Sequence, residues 1–310
     1  MEKKLVIIVE EAPSTSIKRI DKYLQLKFSA VKGLSRSQIQ KLITNEKVIS
    51  NNLIINNNYN VKQDDVITIN FQEEKSWQGE NLDEKDLDIV YEDEYLLVIN
   101  KPKNLVVHPG VGNWDNTLVN ILLAKDIKLS DNDIARPGIV HRLDKNTTGL
   151  LIIAKCNSVH QKLTSQLQNK SLTRKYFALV RGIINKENGF IDGPIGRDPK
   201  NRKRMAIVFK NSKPAQTKFN VIKRFLESNI TFLECELLTG RTHQIRVHLS
   251  SIKHPILGDH LYGIKQDLDE PYEQYLHAHE IAFIHPISGK KMQLNCELPE
   301  SFKTRLDSLQ

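Results

Sequence analysis

Five apolar residues in succession, Leu150 to Ala154, follow directly on the polar run His141-Arg142-Leu143-Asp144-Lys145-Asn146-Thr147-Thr148-Gly149. An apolar run of that length bounded by a glycine reads as a buried strand. The residues before it then form a loop on the strand's edge. That loop carries an arginine, a carboxylate and a hydroxyl pair to a place where a rigid sheet can aim them.

The chain has 310 residues, enough for one large domain or two smaller ones, each with its own core. With 39% hydrophobic and 26% charged residues it has the composition of a soluble globular protein. Its longest apolar runs are far too short to cross a bilayer. No signal-peptide apolar region follows the start, and Cys156, Cys235 and Cys296 are isolated, without a CxxC pair. Both features predict a cytoplasmic protein in a reducing compartment and argue against a zinc site or a disulfide framework. The net charge of +8 is unevenly spread: +3 over residues 1–75, −7 over 76–94, and about +12 over 95–310. A strongly basic body behind an acidic stretch suits a polyanionic partner.

Three segments of different character follow from the patterning. Ile17, Ile20 and Leu24 share a helical face, as do Ile39, Leu42 and Ile43 after the cap-like Ser35. Short strands at 48–49, 53–55, 61 and 66–69 come next, separated by Asn-rich turns. Residues 76–86 are polar, acidic and aperiodic, a linker, with Trp77 expected to dock on one domain. From residue 87 the pattern predicts a hairpin (87–91 and 95–100), strands at 175–180, 219–225, 230–238, 281–284 and 292–294, and helices at 158–168, 243–250 and from 301. Strands outnumber helices and neighbours often join by turns. The fold class is therefore α+β, with a mixed, mainly antiparallel sheet.

The segments Lys18-Arg19-Ile20-Asp21-Lys22-Tyr23-Leu24 and Leu34 to Ile43 resemble an S4 RNA-binding domain. On that resemblance residues 1–75 are a small RNA-binding domain with its core at 16–71, and residues 87–310 form a second domain. The resemblance implies RNA contacts from Arg36, Gln40 and Lys41 on the second helix. Ser50-Asn51-Asn52-Leu53 departs from the family's usual Val-Asn-Gly-Lys turn.

The stretch His141 to Gly149 resembles the HRLDxxTxG signature of the RluA-type pseudouridine synthases, and three further segments match that family. Leu97 to Gly110 is one, with Asn104 where a glycine is usual; Asn is the best substitute where φ must be positive. Arg174 to Gly182 is the second. Thr239 to Leu249, continuing into His254 to Asp259 and Tyr262-Gly263, is the third. The resemblance implies an enzyme that breaks the N-glycosidic bond of a uridine in RNA, turns the base and rejoins it through carbon. That isomerisation is redox-neutral and calls for no cofactor and no metal. The sequence has no Walker A loop, Cys/His cage or HExxH to suggest one. Gly110 to Asp115 starts like a dinucleotide fingerprint but lacks its third glycine, and reads as an ordinary turn.

The same resemblance assigns roles. Asp144 is the catalytic carboxylate, Arg246 its paired cation, Tyr176 the aromatic facing the target base, and Arg142 the residue that fills the gap left by the flipped base. From their charge rather than from the resemblance, Arg241 and the basic run of Arg197, Lys200, Arg202, Lys203 and Arg204 are expected to be phosphate contacts. The physics agrees in outline. A carboxylate covered by RNA would be protonated unless a fixed cation stood beside it, and Arg suits that position because its charge is permanent. Flipping a stacked uridine costs a few kcal/mol, which base–aromatic stacking worth about 1–3 kcal/mol can offset. His141 is expected to order its loop rather than titrate, and Asp259, in a Gly-Asp-x-x-Tyr-Gly turn, to bond nearby backbone.

Ala135 to Val140 and the Arg-Asp-Pro at 197–199 most resemble the branch of the family that modifies clustered uridines in the helix 69 loop of 23S rRNA. The expected partner is 23S rRNA or a large-subunit assembly intermediate, with no membrane and no obligate protein partner, the chain acting as a monomer. Two alternatives stand beside this: the same chemistry on another rRNA or tRNA site, or a non-catalytic ribosome-assembly factor that kept the fold. A carbohydrate hydrolase would need a second catalytic carboxylate; the HRLDxxTxG stretch supplies none, and Asp259 is assigned to its turn.

Overall fold

The computed structural model describes residues 3–13, 17–29, 36–71, 87–109, 116–133 and 136–310. Ser35, Trp77, the linker at 76–86 and the turn from Gly110 to Asp115 lie outside those residues. The chain divides into two compact units, Met1–Glu80 with Asn132–Ala135, and Asn81–Asp131 with Arg136–Gln310.

The first unit runs β1 (Lys3–Ile8), α1 (Ile20–Ser29), α2 (Arg36–Thr44), β2 (Val48–Ser50), β3 (Leu53–Ile54) and β4 (Val66–Phe71). Its antiparallel sheet has the order β1-β4-β2-β3. Ile20, Leu24, Ile39, Ile43, Val48, Ile67 and Ile69 form the core, so the predicted helical faces are the ones that pack. Asp21 joins the two helices: it accepts bonds from Arg19 at 3.2 and 3.1 Å and from the Gln40 amide at 2.7 Å. The Asn51-Asn52 turn between β2 and β3 has positive φ at both residues, 49° and 63°, the backbone of a two-residue hairpin that Asn-Gly usually provides. β1 is an addition to the predicted elements. The strand expected at Val61 is only an isolated bridge between Arg19 and Asn60.

The second unit runs β5 (Asp88–Glu92), β6 (Leu96–Lys101), α3 (Leu118–Ala124), β7 (Thr148–Ala154), α4 (Asn157–Gln168), β8 (Thr173–Arg181), β9 (Asn188–Asp192), β10 (Ile195–Arg197), β11 (Met205–Ile207), β12 (Ser212–Lys213), β13 (Gln216–Phe225), β14 (Ile230–Leu237), α5 (Gln244–Ser251), β15 (Leu276–Ile284), β16 (Lys291–Asn295) and α6 (Glu300–Asp307). Nine strands form one sheet, ordered β5-β6-β7-β15-β8-β14-β13-β9, with β16 beside β15. Every pairing in it is antiparallel except β7 with β15. This is the expected mixed, mainly antiparallel α+β architecture. Residues of α3 and α5, such as Leu118, Leu122, Ile245 and Leu249, pack with Leu151, Tyr176 and Leu233 on one face. Val159 and Leu163 of α4 cover Val98, Leu150 and Ile152 on the other. Among the described residues, no helix is long and apolar enough to cross a membrane.

The run Leu150–Ala154 lies in β7, which is buried from end to end. Its parallel pairing sets Gly149 opposite Ala278, which in turn faces Tyr176, which faces Cys235. Directly opposed residues share a face of a sheet. Gly149 is obligatory here. Its φ is +108°, and an added Cβ would lie 2.2 Å from the Ala278 carbonyl oxygen. With nothing larger than a methyl at 149 and 278, β7 and β15 approach closely in the row that holds Tyr176.

Candidate active site

The loop that delivers Asp144 is tied down at each end. The buried His141 ring accepts the Ile152 N–H through Nε2 at 3.3 Å, and burial, with Arg174 nearby, pulls its pKa down to about 3. It is a neutral spacer, as its expected ordering role requires. The Thr147 N–H bonds the Asp144 carbonyl at 3.2 Å, closing a turn. The Gln274 amide donates to the Thr147 hydroxyl, and Thr148 Oγ1 pairs with His277 Nδ1 at 2.8 Å.

Beneath the loop sits Lys101, fully buried at the end of β6. Its ammonium donates to the carbonyls of Pro102 at 2.7 Å, Leu105 at 3.0 Å and Lys145 at 3.0 Å. Three donors meet three acceptors, so one side chain clamps the turn after β6 to the residue following Asp144. Burial draws the Lys101 pKa down to about 7, while the Asp144 charge pulls the other way. The three carbonyls also favour the charged form. Replacing it by methionine leaves those carbonyls without donors, and Lys101→Met is expected to lose about 2–4 kcal/mol of stability in urea titration. A loss under about 1 kcal/mol would mean the carbonyls find other donors. Asn104, in the same turn, has φ 64°, so its place in a glycine slot has the backbone reason expected.

α5 brings the cation. Arg246 donates through NH1 to Asp144 Oδ2 at 2.9 Å, and through Nε and NH2 to the two oxygens of Asp259 at 2.7 and 2.9 Å. Asp259 is buried and also accepts the N–H groups of Leu261 and Tyr262 at 3.0 and 3.1 Å. Asp259 thus bonds nearby backbone as the turn predicts, and it aims the guanidinium as well. Burial pushes the Asp144 carboxyl up, but the neighbouring cations outweigh it and hold the group below its usual 3.8. His243, 4.0 Å from Asp144, adds to this only when protonated, and burial lowers its own pKa. At neutral pH the permanent guanidiniums of Arg246 and Arg142 carry the effect.

His243 precedes α5 in the left-handed conformation, φ 57°. Its Nδ1 pairs with the Tyr262 hydroxyl at 2.8 Å, which accepts the Met205 N–H at 2.7 Å. The Tyr262 ring has the guanidiniums of Arg204 and Arg246 each 5.0 Å from its centre. Gln244 fixes the preceding turn. Its carbonyl accepts from the Thr239 hydroxyl and the Arg241 N–H, and its amide donates to the Gln216 carbonyl and the Thr217 hydroxyl.

Five of the residues singled out in the sequence line one pocket: Arg142, Asp144, Tyr176, Arg241 and Arg246. Leu237, Leu276 and His243 are among its other walls. Tyr176 is 3% exposed, and burial raises its phenol to about 12, so it presents a neutral ring. Arg142 is exposed at the rim beside a second depression lined by Asn146 and Gln274. Arg36, Gln40 and Lys41 belong to the other unit. The side chains of Arg36 and Lys41 lie outside the described residues, and Gln40 spends its amide on Asp21, leaving its carbonyl oxygen as the polar atom for a further contact. Lys101, His243, Gln244, Tyr262 and Gln274 were not singled out as site residues. Lys101 carried one signal, a charged residue closing an apolar run before a proline.

The profile of the RNA pseudouridylate synthase family matches residues 95–251, which span the Asp144 loop, β8 and α5. The chain belongs to this family. The synthase is 42% identical over 292 residues to the uncharacterized RNA pseudouridine synthase YlyB of Bacillus subtilis, over 94% of each chain. It is 40% identical over 297 residues to ribosomal large subunit pseudouridine synthase D of Zymomonas mobilis, over 92% of each. Among solved structures, human RNA pseudouridylate synthase domain containing 1 matches with a TM-score of 0.58 at 27% identity, covering 71% of this chain and 86% of that one. The synthase is therefore an isomerase acting on RNA, and the expected family and fold hold.

Proposed function

We propose that the synthase converts uridines of large-subunit rRNA, those of the helix 69 loop in 23S rRNA, to pseudouridine, with Asp144 as the catalytic carboxylate. The observation that carries this reading is the Asp144–Arg246 pair at 2.9 Å in the same pocket as Tyr176. Whether the carboxylate attacks the sugar or removes a proton from it, the step starts from the ionised form, and the Arg246 fork maintains that form in a site that RNA will desolvate. The flipped uracil stacks on Tyr176, and Arg142, exposed at the rim, enters the space the base vacates. The rRNA assignment draws on the Ala135–Val140 and Arg197–Pro199 segments and on the relatives named large subunit pseudouridine synthase D.

Residues 1–75 act in this reading as an S4-like RNA-binding domain, joined by the linker at 76–86 to a catalytic domain at 87–310. Tethering a second RNA-binding module raises overall affinity without new catalytic contacts. Removing residues 1–75 is therefore expected to raise KM for folded rRNA by about 10- to 100-fold, with the single-turnover rate at saturating RNA nearly unchanged. A comparable fall in the single-turnover rate at saturating RNA would place the first unit in the chemistry. The experiment that tests the whole reading is mass-spectrometric mapping of pseudouridine in unmodified large-subunit rRNA after incubation with the protein. Product in the helix 69 loop supports it. Product elsewhere, or only in tRNA, rejects the target and keeps the chemistry. Tight binding without product favours an assembly factor.

A further inference from the structure

We propose that Arg174 and the Gly240 turn form an anion subsite that takes a backbone phosphate of the RNA next to the flipped uridine. The identity of the ligand as RNA rests on the function proposed above. The subsite itself rests on three features of the second unit.

The first is an unpaired buried cation. Arg174 is 7% exposed, its Nε finds no acceptor, and among the described residues no carboxylate pairs with it. Arg246, equally buried, donates to two carboxylates. A desolvated charge without a partner is among the most costly features a fold can hold, so an anion supplied from outside is the natural complement. The second is position. Alternation along β8 places Arg174 on the Tyr176 face, one pleat away, and its charge bears on both the Tyr176 phenol and His141. The third is the glycine. A Cβ at Gly240 would lie 2.9 Å from Arg174 NH1, so the missing side chain leaves that nitrogen uncovered. Arg241, next along the turn, lines the Asp144 pocket and spends only its Nε on a carbonyl, that of Pro214 at 2.9 Å. Two guanidiniums thus flank one bare stretch of backbone. A phosphodiester, with one charge and two free oxygens, matches such a fork.

The test compares Arg174→Gln and Gly240→Ala with the wild type, all as full-length protein, on an unmodified large-subunit rRNA fragment. Gly240→Ala leaves every charge in place, and its methyl has only the far end of a flexible side chain to displace. Filter binding across a salt series and steady-state kinetics are the readouts. Both variants are expected to bind about 10-fold more weakly, with the loss carried by KM rather than kcat. For Arg174→Gln the slope of log affinity against log salt should also shrink by about one ion. Unchanged slope and affinity in folded variants overturn the proposal. So does a lowered melting temperature of Arg174→Gln beside a Gly240→Ala protein that binds normally, which would make Arg174 a structural cation. Binding is read without turnover, so a wild type that forms no pseudouridine would sink the isomerase assignment and still leave the phosphate contact measurable.

Discussion

Asp144→Asn is expected to fold, bind RNA as tightly as the wild type and form no measurable pseudouridine. The rate should fall by about 10⁴-fold or more, the upper range for losing a general base or nucleophile. The substitution keeps the shape of the side chain and an oxygen that can accept from Arg246, while the guanidinium retains both bonds to Asp259. The melting temperature should therefore move by no more than about 2–4 °C, which about 1 kcal/mol produces in a domain of this size. A pH–rate profile of the wild type adds a second check. The Asp144 carboxyl is held below 3.8, so activity should show no acid limb at pH 5 and above. Product from the Asp144→Asn protein at anything near the wild-type rate would remove Asp144 from the chemistry.

The second large effect belongs to Arg246→Met. It leaves Asp259 buried without its guanidinium, and Asp144 without its hydrogen-bonded cation, with Arg142, His243 and Lys101 still acting on it. Breaking a buried ion pair from one side typically costs about 3–5 kcal/mol, and denaturant titration should find a loss of that order. The pH dependence should also weaken. In the wild type the depressed pKa of Asp144 contributes stability that is present above its unfolded value and lost as pH falls through the folded one. Without Arg246 its charge and its hydrogen bond no longer lower the Asp144 pKa, so the stability gained as pH rises from acid to neutral should shrink. Arg246→Lys should recover only part of the loss, since one ammonium cannot reproduce three directed N–H bonds. A variant as stable as the wild type at pH 7 would show that Asp144 and Asp259 do not depend on this cation.

Much of the catalytic unit was legible because its signals are local. Leu150–Ala154 is apolar without interruption, so β7 follows from its own residues. Asp144, Arg246 and Tyr176 lie in segments long enough to be matched as wholes. What escaped depends on distant partners. His277 breaks the apolar pattern at the start of β15, and the strand was expected only from 281. The ring is nonetheless fully buried, because Thr148 and Cys296 bond its two nitrogens at 2.8 and 3.2 Å. Lys101 has the same character: one of its acceptors is 44 residues away. The helix α3 has seven residues, too few for a period to show, and its capping box uses Asn120 where Glu or Gln is the usual signal. β9 to β12 are two to five residues long, too short for a period to show. Arg174 stood in plain view inside a matched segment, but only the folded chain reveals that no carboxylate among the described residues pairs with it.

The single parallel pairing in the sheet has a consequence for the timing of assembly. Thr148 and His277 meet across 129 residues, and the row that sets Gly149 beside Ala278 and Tyr176 closes only when they do. Such long-range closure is slow relative to hairpins. During synthesis the Asp144 loop and Tyr176 emerge early, and β15, which lies between their strands, emerges late. Until it has left the ribosome, the carboxylate and the aromatic ring have no common sheet to hold them, so the growing chain cannot act on the RNA around it before β15 has joined the sheet.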